Sequence, residues 1–126
     1  TAAIRFNRSY NNLAQAHANL GAVLARQGSL AHAIAEYSSA IRLDPDVPLT
    51  HYNLGLALSE SGDLESGLQA CLTALRLYPN RADWESGVAL ILERLGRRAE
   101  AIAHLKAALA IDPAYEPARK VLDALR

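Results

Sequence analysis

The stretch "HYNLGLALSESGDL" at residues 51–64 nearly repeats "HANLGAVLARQGSL" at 17–30, with His, Asn, Leu, Gly, Leu, a second Gly and a second Leu in register. The interval is thirty-four residues, and it holds elsewhere in the chain. Gly28, Gly62 and Gly96 keep it, as do Ala40, Ala74 and Ala108, and Pro45, Pro79 and Pro113. Three units follow, 14–47, 48–81 and 82–115, with 1–13 before them and 116–126 after. Four classes of position in register across the units mark a repeat architecture, in which each unit is one supersecondary element stacked on the next.

Each unit reads as two helices. In the second, Leu54 and Leu58, then Leu72 and Leu75, lie at helical spacing on either side of "SESGDL". Gly62 suits the positive φ that ends a helix, and Asp63, like Ser29 after Gly28, can cap the helix that follows. The prolines at 45, 79 and 113 stop each second helix, because the residue before a proline is pushed out of helical geometry. Pro48 fits the first turn of the next helix, where its missing N–H is no loss. The expected helices are 14–27, 30–43, 48–61, 64–77, 82–95, 98–111 and 116–125. The last places Ala118, Val121, Leu122 and Leu125 on one face and charged residues elsewhere, as a capping helix requires. At the other end "AIRFN" (3–7) echoes "AIRLD" (40–44). It is read as the last turns of a preceding second helix or an N-terminal cap, separated from the first unit by an insertion around "YNNL".

Composition bounds the partners. The 126 residues carry 13 basic and 13 acidic side chains, a formal net charge of zero. That balance gives no electrostatic footprint for nucleic acid or an anionic membrane. No apolar run approaches the roughly 18–20 residues that span a bilayer, and "TAAIRFNRSY" lacks the apolar stretch of a signal peptide. The expected location is the cytoplasm. The chain begins without a methionine and reads as a piece of something longer. Its excess of arginine over lysine and its abundant alanine point to a GC-rich bacterial genome.

The units resemble the tetratricopeptide repeat (TPR) family, whose pattern is W-x₂-L-G-x₂-Y, then A-x₃-F, then P. The first unit has His17-x₂-Leu20-Gly21-x₂-Leu24, Ala33-x₃-Tyr37 and Pro45; the second has His51-x₂-Leu54-Gly55-x₂-Leu58, Gly67-x₃-Cys71 and Pro79. The third departs most, with Glu85-x₂-Val88-Ala89-x₂-Leu92, Ala101-x₃-Leu105 and Pro113. Large aromatics are mostly replaced, but every small position stays Gly or Ala, so paired helices can pack closely. The resemblance implies an all-α fold, a right-handed α-solenoid of three helix-turn-helix units with a C-terminal capping helix. Gly67 stands where the family has alanine, and the weak helix propensity of glycine predicts that Gly67→Ala stabilises.

A search for chemistry leaves nothing catalytic. His17, His51 and Glu85 occupy one repeat position, but stacked helices hold such positions too far apart to converge on a metal ion. His32 and His104 read as solvated surface. Cys71, among Leu68, Leu72 and Leu75, lacks the cationic surroundings of a reactive thiolate and reads as core. Ser59 and Ser61 carry no triad signature, and "GDLESG" lacks the strand-then-helix context of a phosphate loop. No enzyme activity and no cofactor are expected. Trp84 reads either as packing between repeats or as an anchor for a partner.

The resemblance implies that first helices line a concave groove that binds peptides or helices. Its groove positions fall on Gln15, Ala18, Asn19, Ala22, Ala25 and Arg26 in the first unit. They fall on Leu49, Tyr52, Asn53, Leu56, Ser59 and Glu60 in the second, and on Asp83, Ser86, Gly87, Leu90, Glu93 and Arg94 in the third. Asn19 and Asn53 carry amides able both to donate to and accept from a peptide backbone. Members that grip a C-terminal carboxylate would have lysines at Ala18 and Asp83, asparagines at Ala22 and Asn53, and an arginine at Gly87; only Asn53 matches. What remains is a mild apolar stripe of Ala22, Tyr52, Leu56 and Leu90, margined by Arg26, Glu60, Glu93 and Arg94. That lining suits an amphipathic helix or an apolar peptide.

The expected role is therefore a non-catalytic interaction scaffold whose ligand is a protein or peptide, including a segment of its own parent protein. Two alternatives stand beside it. The array could be the recognition part of a larger enzyme such as a glycosyltransferase, or it could self-associate into a homo-oligomer through an open N-terminal face at His17, Leu20 and Leu24.

Overall fold

The structure, a computed structural model, describes residues 2–126, with side chains from Arg8 onward. All its regular structure is helical: α1 (Ala2–Arg26), α2 (Leu30–Leu43), α3 (Pro48–Glu60), α4 (Leu64–Leu77), α5 (Ala82–Arg94), α6 (Arg98–Ile111) and α7 (Glu116–Leu125). The pairs α1–α2, α3–α4 and α5–α6 are the tightest contacts, and successive pairs stack through α2 on α3 and α4 on α5. This is an all-α array of three helix-turn-helix units closed by a seventh helix.

The local signals act as their chemistry requires. Gly28, Gly62 and Gly96 end the first helices with φ of 80°, 102° and 78°, which side chains rarely adopt. Asp63 caps α4 by accepting from the Ser66 N–H at 3.3 Å, whereas Ser29 makes no capping bond at the start of α2. The second helices and α7 take the predicted bounds. The first helices stop at Arg26, Glu60 and Arg94, one residue short of the expected ends, where the glycine turn begins.

The N-terminus differs. No turn separates "AIRFN" from the first unit, and residues 2–26 form one helix of 25 residues. The segment from 1 to 20 holds neither Gly nor Pro, so nothing in it stops a helix once nucleated.

The core runs along the helix pairs at the small and apolar positions of each unit. Ala33, Ala74, Ala101 and Ala108 are fully buried, as are Cys71 and Leu105; Tyr37, their equivalent in the first unit, is almost so. In the α3–α4 pair the helices approach at two glycines, Gly55 and Gly67. A Cβ on Gly67 would stand 2.7 Å from the Gly55 carbonyl oxygen and would overlap the Ser59 hydroxyl, so the two backbones meet directly. The expectation that alanine at 67 stabilises is thus overturned, because the methyl has no room.

The two ends are unlike. In the third unit Val88 and Ile91 are 0% and 3% exposed beneath α4 and its neighbours, whereas their first-unit equivalents Leu20 and Val23 are 46% and 40% exposed. At the other end, α7 buries Ala118 and Leu122 and turns Glu116, Arg119, Lys120 and Asp123 outward.

Candidate binding groove

Tyr52 is the residue around which the groove is built. It lies on α3 with its ring stacked on Trp84 of α5, centroids 5.0 Å apart and planes 18° apart. Trp84 is almost fully buried. Tyr78, at the end of α4, meets its edge at 6.2 Å, and the Arg81 guanidinium covers the ring at 4.3 Å. Trp84 is therefore packing between the second and third units and is not presented to a partner. Arg81 in turn holds Asp83 through two bonds, Nε to Oδ1 at 2.9 Å and Nη2 to Oδ2 at 2.8 Å. That pairing keeps the Asp83 carboxyl below its ordinary range. Burial pushes the Tyr52 phenol well above its ordinary value, so the hydroxyl stays neutral.

The Tyr52 hydroxyl projects over Gly87, where any Cβ would collide with it. Glycine at 87 thus lets an aromatic side chain from the second unit lie flat against the third. Between them opens a cavity of about 510 Å³, lined by Tyr52, Leu56, Ser59 and Glu60 from α3 and by Gly87, Leu90, Ile91, Glu93 and Arg94 from α5. Leu90 stays 45% exposed, an apolar side chain held open to solvent at the mouth of a concave site. A second cavity of about 330 Å³ adjoins it and shares Leu56 and Glu60. Ala22, Ala25 and Arg26 of α1, Tyr37 of α2, and Asn53 and Ala57 of α3 complete its walls. The two form one groove across the first helices.

Nine of the ten residues expected to form the groove line these cavities: Ala22, Arg26, Tyr52, Asn53, Leu56, Glu60, Leu90, Glu93 and Arg94. Asn19 does not. It is exposed and accepts a hydrogen bond from Gln15 Nε2 at 2.8 Å on its own helix. Sequence reasoning missed Ala57, Ile91 and Tyr37. Ala57 and Ile91 were legible as one repeat position, each following a groove leucine by a single residue. Tyr37 reaches the groove from a second helix by passing over Gly21, whose missing side chain leaves room for the ring.

The other candidates have structural partners. His17 pairs with Glu36, His51 meets the Pro45 carbonyl through Nε2 at 2.7 Å, and Glu85 pairs with His104. His104 is thus half-buried against α5, not on solvated surface. Among the described residues no three His, Cys, Asp or Glu side chains gather closely enough to hold a metal, and no helix is long and apolar enough to cross a membrane. Burial pushes the Cys71 thiol up to about 12.

A stack of helix pairs with a groove across its first helices defines an α-helical repeat protein. Residues 21–62 match the family model described as TPR repeat, and residues 52–116, more than half the chain, match that described as tetratricopeptide repeat. The chain belongs to the TPR family. TPR domains are typically protein–protein interaction modules and are usually non-catalytic. Among solved structures, it resembles the first TPR of Spaghetti (RPAP3) bound to the HSP90 peptide SRMEEVD, with a TM-score of 0.87, 20% identity and 91% of each chain covered. It also resembles the Arabidopsis OM64 TPR domain, with a TM-score of 0.88, 20% identity, and 93% of this chain and 97% of that one covered. MamA gives a TM-score of 0.86 and 21% identity, over 94% of this chain and 74% of that one. At these identities the likeness is one of fold, and it does not single out bacteria. No curated protein matches the chain in sequence.

Proposed function

We propose that this TPR domain binds an amphipathic helix or apolar peptide of a protein partner in the groove between its first helices. The observation that carries the reading is the cavity between α3 and α5, apolar on Tyr52, Leu56, Leu90 and Ile91 and held open by the Tyr52–Trp84 stack. Its residues offer no nucleophile activated by a base, so the role is recognition. That role is the same whether the partner is a separate protein, a segment of the same polypeptide, or the substrate of a catalytic part elsewhere in a larger enzyme.

The Spaghetti domain holds an acidic HSP90 peptide. A similar grip is not proposed here. Asp83 stands at a position where such members carry a lysine, and Gly87 lies beneath Tyr52 where they carry an arginine.

The test is affinity capture with the intact parent protein, followed by titration calorimetry with the captured segment. Leu56→Glu places a charge in both cavities and is expected to weaken binding at least about tenfold, near 1.4 kcal/mol. Arg97→Ala is the control, since Arg97 lies outside the groove, bound to Glu100 at 2.7 Å. Equal binding by wild type and Leu56→Glu would remove the site from the concave face.

A further inference from the structure

We propose that the groove selects a basic partner helix, one that places an apolar side chain in the α3–α5 cavity and an arginine or lysine one turn further along. The inference rests on the groove reading above and names the chemistry of its occupant. The two wall leucines are each followed on their own helix by a carboxylate about one turn on: Glu60 after Leu56, and Glu93 after Leu90. Both therefore stand at the same end of the cavity. That end is also where α3 and α5 terminate, and helix C-termini present carbonyl oxygens equivalent to roughly half a negative charge each. The last turn of α3 has no basic residue of its own.

The cations at hand pair with neither carboxylate, although Arg94 lines the same cavity in the last turn of α5. Arg94 Nη1 donates to the Ser59 carbonyl oxygen at 3.5 Å, so its charge is set against the end of α3. Arg26 lines the adjoining cavity together with Glu60 and forms no ion pair with it. Among the described residues the side-chain carboxylates of Glu60 and Glu93 accept no hydrogen bond and meet no cation within 4 Å, in contrast to Asp83, which Arg81 holds. An apolar cavity that ends in two carboxylates free of ion pairs, with its one arginine turned to a backbone carbonyl, is complementary to an apolar residue followed by a cation. An acidic segment would bring like charge to the same edge.

The experiment uses two synthetic amphipathic helical peptides of about 16 residues, long enough for four turns. They share one leucine-rich face and differ only in four flanking positions, arginine in one and glutamate in the other. Fluorescence anisotropy with the whole chain is expected to show the arginine peptide binding at least about tenfold more tightly at low salt, a difference shrinking toward parity near 0.5 M salt. Glu60→Gln with Glu93→Gln, checked for native helicity by circular dichroism, is expected to close most of that gap while leucine-face binding persists. Equal or tighter binding of the glutamate peptide would overturn the charge preference and leave the groove reading standing. A gap unchanged in the double variant would overturn it too, by placing the selecting charges elsewhere. Failure of both peptides to bind would overturn both readings.

Discussion

His17 meets Glu36 across 2.5 Å in the first unit, and Glu85 meets His104 across 2.6 Å in the third: one contact, written with its partners exchanged. His17 and Glu85 hold the same place on a first helix, and Glu36 and His104 the same place on a second. The middle unit has His51 and Ala70 there, and its histidine turns to the Pro45 carbonyl instead. The contact is a property of the repeat geometry and indifferent to which helix supplies the acid. His104→Glu should therefore set two carboxylates together and cost about 1 kcal/mol, while adding Glu85→His should restore most of the loss. Urea unfolding of the single and double variants reads the coupling.

The Gly55–Gly67 crossing sets the second prediction. Gly67→Ala must push α3 and α4 apart, at a cost of about 1–3 kcal/mol in spite of alanine's better helix propensity. A lower melting temperature in a thermal scan is the expected outcome; a higher one would show that the pair can separate at no cost.

That crossing also marks the boundary of what the amino-acid pattern conveys. Helix bounds were legible wherever a glycine or proline acts locally, as at Gly62 or Pro79. The long α1 was not, because the echo of "AIRLD" in "AIRFN" is a resemblance of residues, while helix termination needs a breaker, and none lies there. The room at Gly67 depends on a second glycine twelve residues away, and the burial of Trp84 on Tyr52 from the neighbouring unit. Both are facts of packing between helices. The lining of the two cavities was largely readable because its residues recur with the repeat; Asn19 is not among them and lies exposed on α1, its amide oxygen bonded to Gln15 one turn before.

Cys71 yields a pH prediction. Its thiol, ordinarily near 9.0, is pushed up to about 12 by burial. A raised value in the folded state means stability is fully present below pH 9 and falls as pH rises toward 12, since the unfolded chain loses the proton first. Wild type should show a steeper alkaline loss of stability than Cys71→Ala, measured by denaturant midpoints from pH 8 to 11. At pH 8 the folded protein should resist iodoacetamide until denaturant opens it.

Trp84 is the chain's single tryptophan, and it lies under the ring that floors the groove. Filling the α3–α5 cavity should change its fluorescence without any label, and Leu56→Glu should abolish the change. Trp84→Ala should cost about 3–5 kcal/mol and remove the floor together with the stability.

Leu20 and Val23 predict association. Apolar side chains that the third unit keeps buried are open in the first, so the domain should dimerise through α1 at tens of micromolar, as light scattering would report. Leu20→Lys should return it to monomer while its helicity is kept. A wild-type monomer over that range would show that the exposed ridge is tolerated in water.

The polar outer face of α7 then limits what such association can become. A filament needs two complementary ends, one to offer and one to receive, so that each added molecule recreates the site it filled. Here α1 carries an apolar ridge and the outer face of α7 a row of charges, and joining ridge to ridge uses up both ridges. Association through the α1 ridge is therefore expected to stop at two.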